Sequence, residues 1–108
     1  IYDFRGGGYN SKSDGKISDM TIDTEKDDLN FIIDSLKKED FVDEEHIYVG
    51  GHSQGGLVSS LVAPTRDDIK ALFLFAPASP LISVNTKPIR VFSRNLRFPS
   101  FFSEKILV

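Results

Sequence analysis

Apolar residues along this chain recur at two spacings, and the alternation between them sets the order of elements. From Ile22 the apolar positions fall at Ile22, Leu29, Ile32, Ile33 and Leu36, the spacing of an amphipathic helix, with Glu25, Asp27, Asp28, Lys37 and Lys38 assigned to its solvent side. Thr21 suits the cap, and acidic residues early with lysines late match the helix dipole. Ile47-Tyr48-Val49 reads as a strand, and Leu57, Val58, Leu61 and Val62 give a short second helix its buried stripe before Pro64 stops it. Ala71-Leu72-Phe73-Leu74-Phe75 is continuously apolar, as expected of a strand buried on both faces of a parallel sheet.

The connections follow from what lies between. Ile1-Tyr2-Asp3-Phe4 has strand-forming residues and runs into Arg5-Gly6-Gly7-Gly8, where a turn without steric cost begins a polar loop through Lys16. The charged run from Glu39 to Glu45 is a solvated link. After Ala76-Pro77-Ala78 the pattern fades; a further strand is expected at 88–92 with Pro88 at its entry, and Arg94, Arg97, Phe98, Phe101 and Phe102 follow no clear period. Strand, helix, strand, helix, strand predicts an α/β fold, a parallel sheet in three αβα layers with strands near 1–4, 46–50, 71–75 and 88–92.

Composition narrows the chemistry. The 108 residues are 40% hydrophobic and 27% charged, ordinary for a globular domain, and no apolar run approaches the roughly 18 residues of a bilayer span. There is no cysteine, which excludes thiol catalysis and thiolate metal sites, and the two histidines lie at no metal-ligand spacing, so no metal or cofactor is expected. The net charge of −3 is unevenly spread: residues 1–81 carry 8 basic and 15 acidic side chains, and residues 82–108 carry 5 and 1, giving −7 and +4. That shift divides the chain into a body over 1–80 and a basic, Phe-containing tail over 81–108. The chain starts at Ile1 without a basic-then-apolar leader, so it reads as a piece of something longer, with the cytoplasm as the expected compartment.

The chemistry concentrates in Gly50-Gly51-His52-Ser53-Gln54-Gly55-Gly56, between the strand at 46–50 and the second helix. A serine flanked by glycines two positions away on either side, where a strand turns sharply into a helix, forms a nucleophile elbow. Side chains at Gly51 and Gly55 would collide across such a turn, and Gly56 lets the helix approach the sheet. Ser53 would then stand at the sheet edge, at the positive end of the following helix, with the backbone N–H of Gln54 aimed at the same point as an oxyanion donor. Ser53 and Gln54 are the candidate catalytic residues. His52 is expected to point away from the serine in a supporting role, and His46 opens the strand at the far end, where a surface position is expected.

These residues, taken with Tyr2 to Gly8, Ser13-Asp14-Gly15-Lys16, Asp19-Met20-Thr21 and Leu72 to Ala78, resemble the α/β-hydrolase superfamily, in its esterase and serine-aminopeptidase-like branch that includes bacterial cinnamoyl (feruloyl) esterases. The resemblance departs at Gly7, where the family usually has histidine between glycines. It implies an acyl-enzyme on Ser53, a small-molecule ester substrate and no cofactor. It also implies an acid and a histidine on later strands, and a central strand carrying the second oxyanion donor between the strand ending at Phe4 and the one at 47–49. None of these is recognisable in the sequence, so the chain reads as a hydrolase segment holding the centre of a site and little activity by itself.

Four rival readings are weaker. An inactive hydrolase-like fragment or binding module would share the fold without a base, and amide hydrolysis would use the same elbow. Nucleic-acid binding by the tail would rest on five positive charges without a motif, and neither nucleic acid nor a membrane is expected as a partner. A phosphate-binding reading of the glycines fails because Gly50 to Gly56 contains no lysine and Gly6-Gly7-Gly8 opens no helix.

Overall fold

The computed structural model describes residues 1–7, 10–78, 90–94 and 106–107. Helix α1 spans Ile22–Leu36, strand β1 Ile47–His52, helix α2 Gln54–Val62, β2 Ile69–Phe75, β3 Arg90–Arg94 and β4 Ile106–Leu107. Short 3-10 turns precede α1 and follow α2, the second carrying Pro64. The sheet order is β3-β2-β1-β4: β2 is parallel to β1 and to β3, and β4 adds an antiparallel pair against Gly50 and Gly51. This is the expected α/β architecture of a partial α/β-hydrolase fold, and the further strand expected at 88–92 lies at 90–94. Gly8, Pro88 and the tail residues Arg97, Phe98, Phe101 and Phe102 lie outside the described residues.

Helix α1 begins where its cap predicts. The Thr21 hydroxyl accepts from the Thr24 N–H at 3.1 Å and the Thr24 hydroxyl accepts from the Thr21 N–H at 2.9 Å, a reciprocal pair that satisfies two otherwise unpaired donors. Its apolar stripe, with Leu29 and Ile33 fully buried, packs with Val58 and Val62 of α2 and with Ile47, Val49, Ile69 and Leu72 of the sheet into one core. Fully burying side chains of this size stabilises by about 1.5–3 kcal/mol each. Arg66 ties the turn before β2 to α1, donating to Asn30 at 3.0 Å and Asp34 at 2.6 Å and pairing with Asp68, which also accepts from Lys37 at 3.0 Å.

Three expectations are corrected. Residues 1–4 form no strand: Tyr2 makes a single bridge, and after Phe4 the chain closes a turn, with the Gly7 N–H donating to the Phe4 carbonyl at 2.9 Å. Strand-forming residues become a strand only beside a partner ladder; here packing holds them, Phe4 in the core and the Tyr2 ring edge-on to it at 5.6 Å. Strand β2 buries the neighbours Ala71 and Leu72, which point to opposite faces, but not the whole apolar run: Phe73, in register with Gly50 and Phe92, is 36% exposed and stacks on Phe92 at 5.1 Å. The acidic side of α1 is not wholly solvated: Glu25 is 0% exposed and Asp28 is buried.

Candidate active site

The end of β1 feeds Ser53 into the first turn of α2, and the glycines make this possible. A Cβ on Gly51 would lie 2.2 Å from the Gly55 carbonyl oxygen and 2.5 Å from the Gly56 nitrogen, so strand and helix start touch backbone to backbone. A Cβ on Gly56 would sit 3.0 Å from the Gly51 oxygen and 3.1 Å from Pro77 Cβ, a tighter fit than most side chains tolerate. Ser53 itself has φ 52° and ψ −118°, a left-handed conformation costing a non-glycine residue on the order of 1–3 kcal/mol.

Hydrogen bonds lock that conformation. The Ser53 N–H donates to the Phe75 carbonyl at 3.0 Å, holding the serine at the carboxyl edge of the parallel strands, where open α/β sheets place their sites. The Ser53 carbonyl accepts twice, from the Leu57 N–H at 3.2 Å and the Ala78 N–H at 2.9 Å. The loop after β2 reaches this position through Ala76, itself at φ 43°. Gln54, next in sequence, is the first residue of α2; its backbone N–H is one of the four donors that a helix start leaves without an intrahelical acceptor, at the end carrying roughly half a positive charge.

Beneath the helix start lies a polar layer that the sequence reading placed in solvent. The Gln54 side-chain amide donates from Nε2 to Glu25 Oε1 of α1. One turn further, Asp28 accepts from the Arg5 backbone N–H at 2.8 Å and from the Arg5 guanidinium, fixing the glycine loop to α1. The Tyr2 hydroxyl is buried beside them; burial, and then the Asp28 and Glu25 charges, push its pKa well above the usual phenol range. A signal for this layer was present: Ile22, Glu25 and Leu29 are spaced three and four apart, which puts Glu25 inside the apolar stripe.

Ser53 and Gln54 thus lie at the carboxyl edge of the sheet, where α2 starts. His46 is exposed at the opposite end of β1, its Nδ1 2.7 Å from Asp43 Oδ2. That hydrogen bond is the main reason the Asp43 carboxyl lies below its usual range. His52 is half-buried immediately before the serine. Among the described residues no group of three or more histidine, cysteine or acidic side chains could hold a metal ion, and no helix is long and apolar enough to cross a membrane.

The chain matches, over residues 1–106, the family model described as "Serine aminopeptidase, S33". Among solved structures it is similar to Est1E from Butyrivibrio proteoclasticus with ferulic acid bound, at 45% identity and a TM-score of 0.63, over 70% of this chain and 29% of that one. The chain therefore spans less than a third of the length of that protein. No curated protein matches it.

Proposed function

This chain belongs to the serine aminopeptidase S33 family of α/β-hydrolases, and from that premise we propose that it serves carboxylic ester hydrolysis through an acyl-enzyme on Ser53. The observation that carries the reading is the left-handed Ser53 at the start of α2, its backbone held by Phe75, Leu57 and Ala78. The Ser53 hydroxyl attacks the ester carbonyl carbon, the C–O bond to the alcohol breaks, and water then attacks the acyl-serine to release the acid. The Gln54 N–H donates to the oxyanion in both steps; losing such a donor costs about 10²- to 10³-fold in rate.

Neither His46 nor His52 is given the part of the base. The resemblance places that histidine on a later strand, and ester turnover by the 108 residues is accordingly expected to be slow. The hydrolase centre is assigned to residues 1–80, and substrate selection to the tail over 81–108. Because Est1E holds ferulic acid, hydroxycinnamoyl esters are the substrate class to try first, in a cytoplasmic setting. The name of the family favours a second reading, cleavage of amides by the same serine.

Hydrolysis of p-nitrophenyl butyrate, methyl ferulate and leucine p-nitroanilide, compared between wild type and Ser53→Ala, tests both. Ester cleavage that is slow but lost in Ser53→Ala supports the proposal. Equal ester rates in the two proteins overturn it, and Ser53-dependent anilide cleavage faster than ester cleavage moves the activity to amides.

A further inference from the structure

We propose that Glu25 is a positioning residue for the oxyanion donor: from α1 it holds the Gln54 side chain and thereby fixes the direction of the Gln54 backbone N–H. The inference rests on the reading of Ser53 as nucleophile and of that N–H as oxyanion donor.

The geometry begins at one peptide group. A trans peptide is planar, so its carbonyl and its N–H point in opposite directions. In the Ser53–Gln54 peptide the carbonyl is clamped by the N–H groups of Leu57, along the helix, and Ala78, from the loop after β2. The N–H of Gln54 therefore faces away from the helix body, toward the space in front of the serine. Two acceptor contacts at one oxygen still leave the plane free to rock about the line joining them.

Glu25 restrains that motion. Its side chain is fully buried on α1, and Oε1 accepts from Gln54 Nε2, so the Gln54 Cα is tied to a helix that is itself part of the core. Burying a carboxylate is costly, and the bond it accepts from the glutamine amide at the first residue of α2 offsets part of that cost while tying that residue to α1. An oxyanion donor acts only in the transition state and only within hydrogen-bonding distance, so an anchor that lets it drift slows the chemistry while leaving substrate binding intact.

The test measures kcat and KM for p-nitrophenyl butyrate in wild type, Glu25→Leu, Glu25→Gln, Gln54→Met and Ser53→Ala, with circular dichroism and thermal unfolding to establish that each variant folds. Glu25→Leu and Gln54→Met are each expected to lower kcat about 10- to 100-fold with KM nearly unchanged, the loss that a displacement of about 1 Å brings. The double variant is expected to be no worse than either single one, since both remove the same bond. Glu25→Gln keeps an acceptor oxygen and is expected to recover most of the rate. A folded Glu25→Leu or Gln54→Met with wild-type kcat overturns the inference, as does a Glu25→Gln variant as slow as Glu25→Leu. If Glu25→Leu does not fold, Gln54→Met, at a half-exposed side chain, decides. Loss of activity in Ser53→Ala together with full activity in Gln54→Met rejects Glu25 alone; unchanged activity in Ser53→Ala rejects the nucleophile and this inference with it.

Discussion

Gly51→Ala is the smallest change that attacks the elbow, and its cost can be worked from the contacts. The added methyl would start 2.2 Å from the Gly55 oxygen and 2.3 Å from its carbonyl carbon, whereas real Cβ atoms essentially never come within 3.0 Å, so the start of α2 must retreat by at least 0.8 Å. The obstructing atoms are backbone, and Gly51 has no positive φ, so the penalty is contact rather than conformation. Overpacking of this kind costs about 1–3 kcal/mol or more, and for a domain near 100 residues each kcal/mol lowers Tm by about 4–8 °C. In the proposed mechanism the retreat also shifts the Gln54 N–H that would hold the oxyanion, and about 1 Å of misplacement costs on the order of 10²-fold in rate. Thermal unfolding followed by circular dichroism, with p-nitrophenyl butyrate hydrolysis, reads both effects. Gly56→Ala, whose methyl needs only a few tenths of an ångström, is the comparison and is expected to lose about 1 kcal/mol. A Gly51→Ala protein melting within about 2 °C of wild type, well short of that expected range, with an unchanged rate would refute the reasoning.

Other expectations follow from single residues. Ser53→Gly should unfold at higher urea than Ser53→Ala, by about 1–2 kcal/mol, because glycine adopts φ 52° without strain; equal stabilities would mean that the elbow stores none. Tyr2→Phe removes a buried hydroxyl with no hydrogen-bond partner among the described residues and should be neutral or stabilising at pH 7. Since the folded-state pKa of Tyr2 is raised, its contribution is complete below its unfolded value of about 10 and is lost as pH rises above it, so the Tm difference between wild type and Tyr2→Phe should change only in the alkaline range. Hydrogen bonds from Arg66 and then Lys37 hold the Asp68 carboxyl far below the usual range, so its contribution is complete above an unfolded value of about 3.9 and fades as pH falls below it. Asp68→Asn should therefore flatten the acid limb of Tm against pH, and an unchanged limb would remove Asp68 from the account of acid stability.

What the sequence reveals here depends on the range over which each signal acts. The Thr21 cap, the strand at 47–49, the elbow glycines and the stop at Pro64 are set by a few neighbouring residues, and each lies where the pattern places it. The strand at 1–4 fails because pairing needs a neighbour that composition does not reveal, and Gly7 folds the chain back onto Phe4 first. Glu25 and Asp28 escape because a carboxylate on an amphipathic helix is read as solvent-facing until its partner is known, and the partners are 29 residues away at Gln54 and 23 away at Arg5. The clamp on the Ser53 carbonyl by Ala78 is likewise invisible, a backbone contact across the sheet with no side-chain signature.

The role proposed for Ser53, alone among the twelve serines of the chain, is that of nucleophile. A fluorophosphonate reagent reacts with such a serine by losing fluoride and leaving phosphorus bonded to Oγ, which raises the intact mass by one adduct and marks one peptide. A single adduct is expected on the peptide containing Ser53, absent from Ser53→Ala and slowed in Gly51→Ala. No adduct on folded wild type, or labelling that persists in Ser53→Ala, would contradict it.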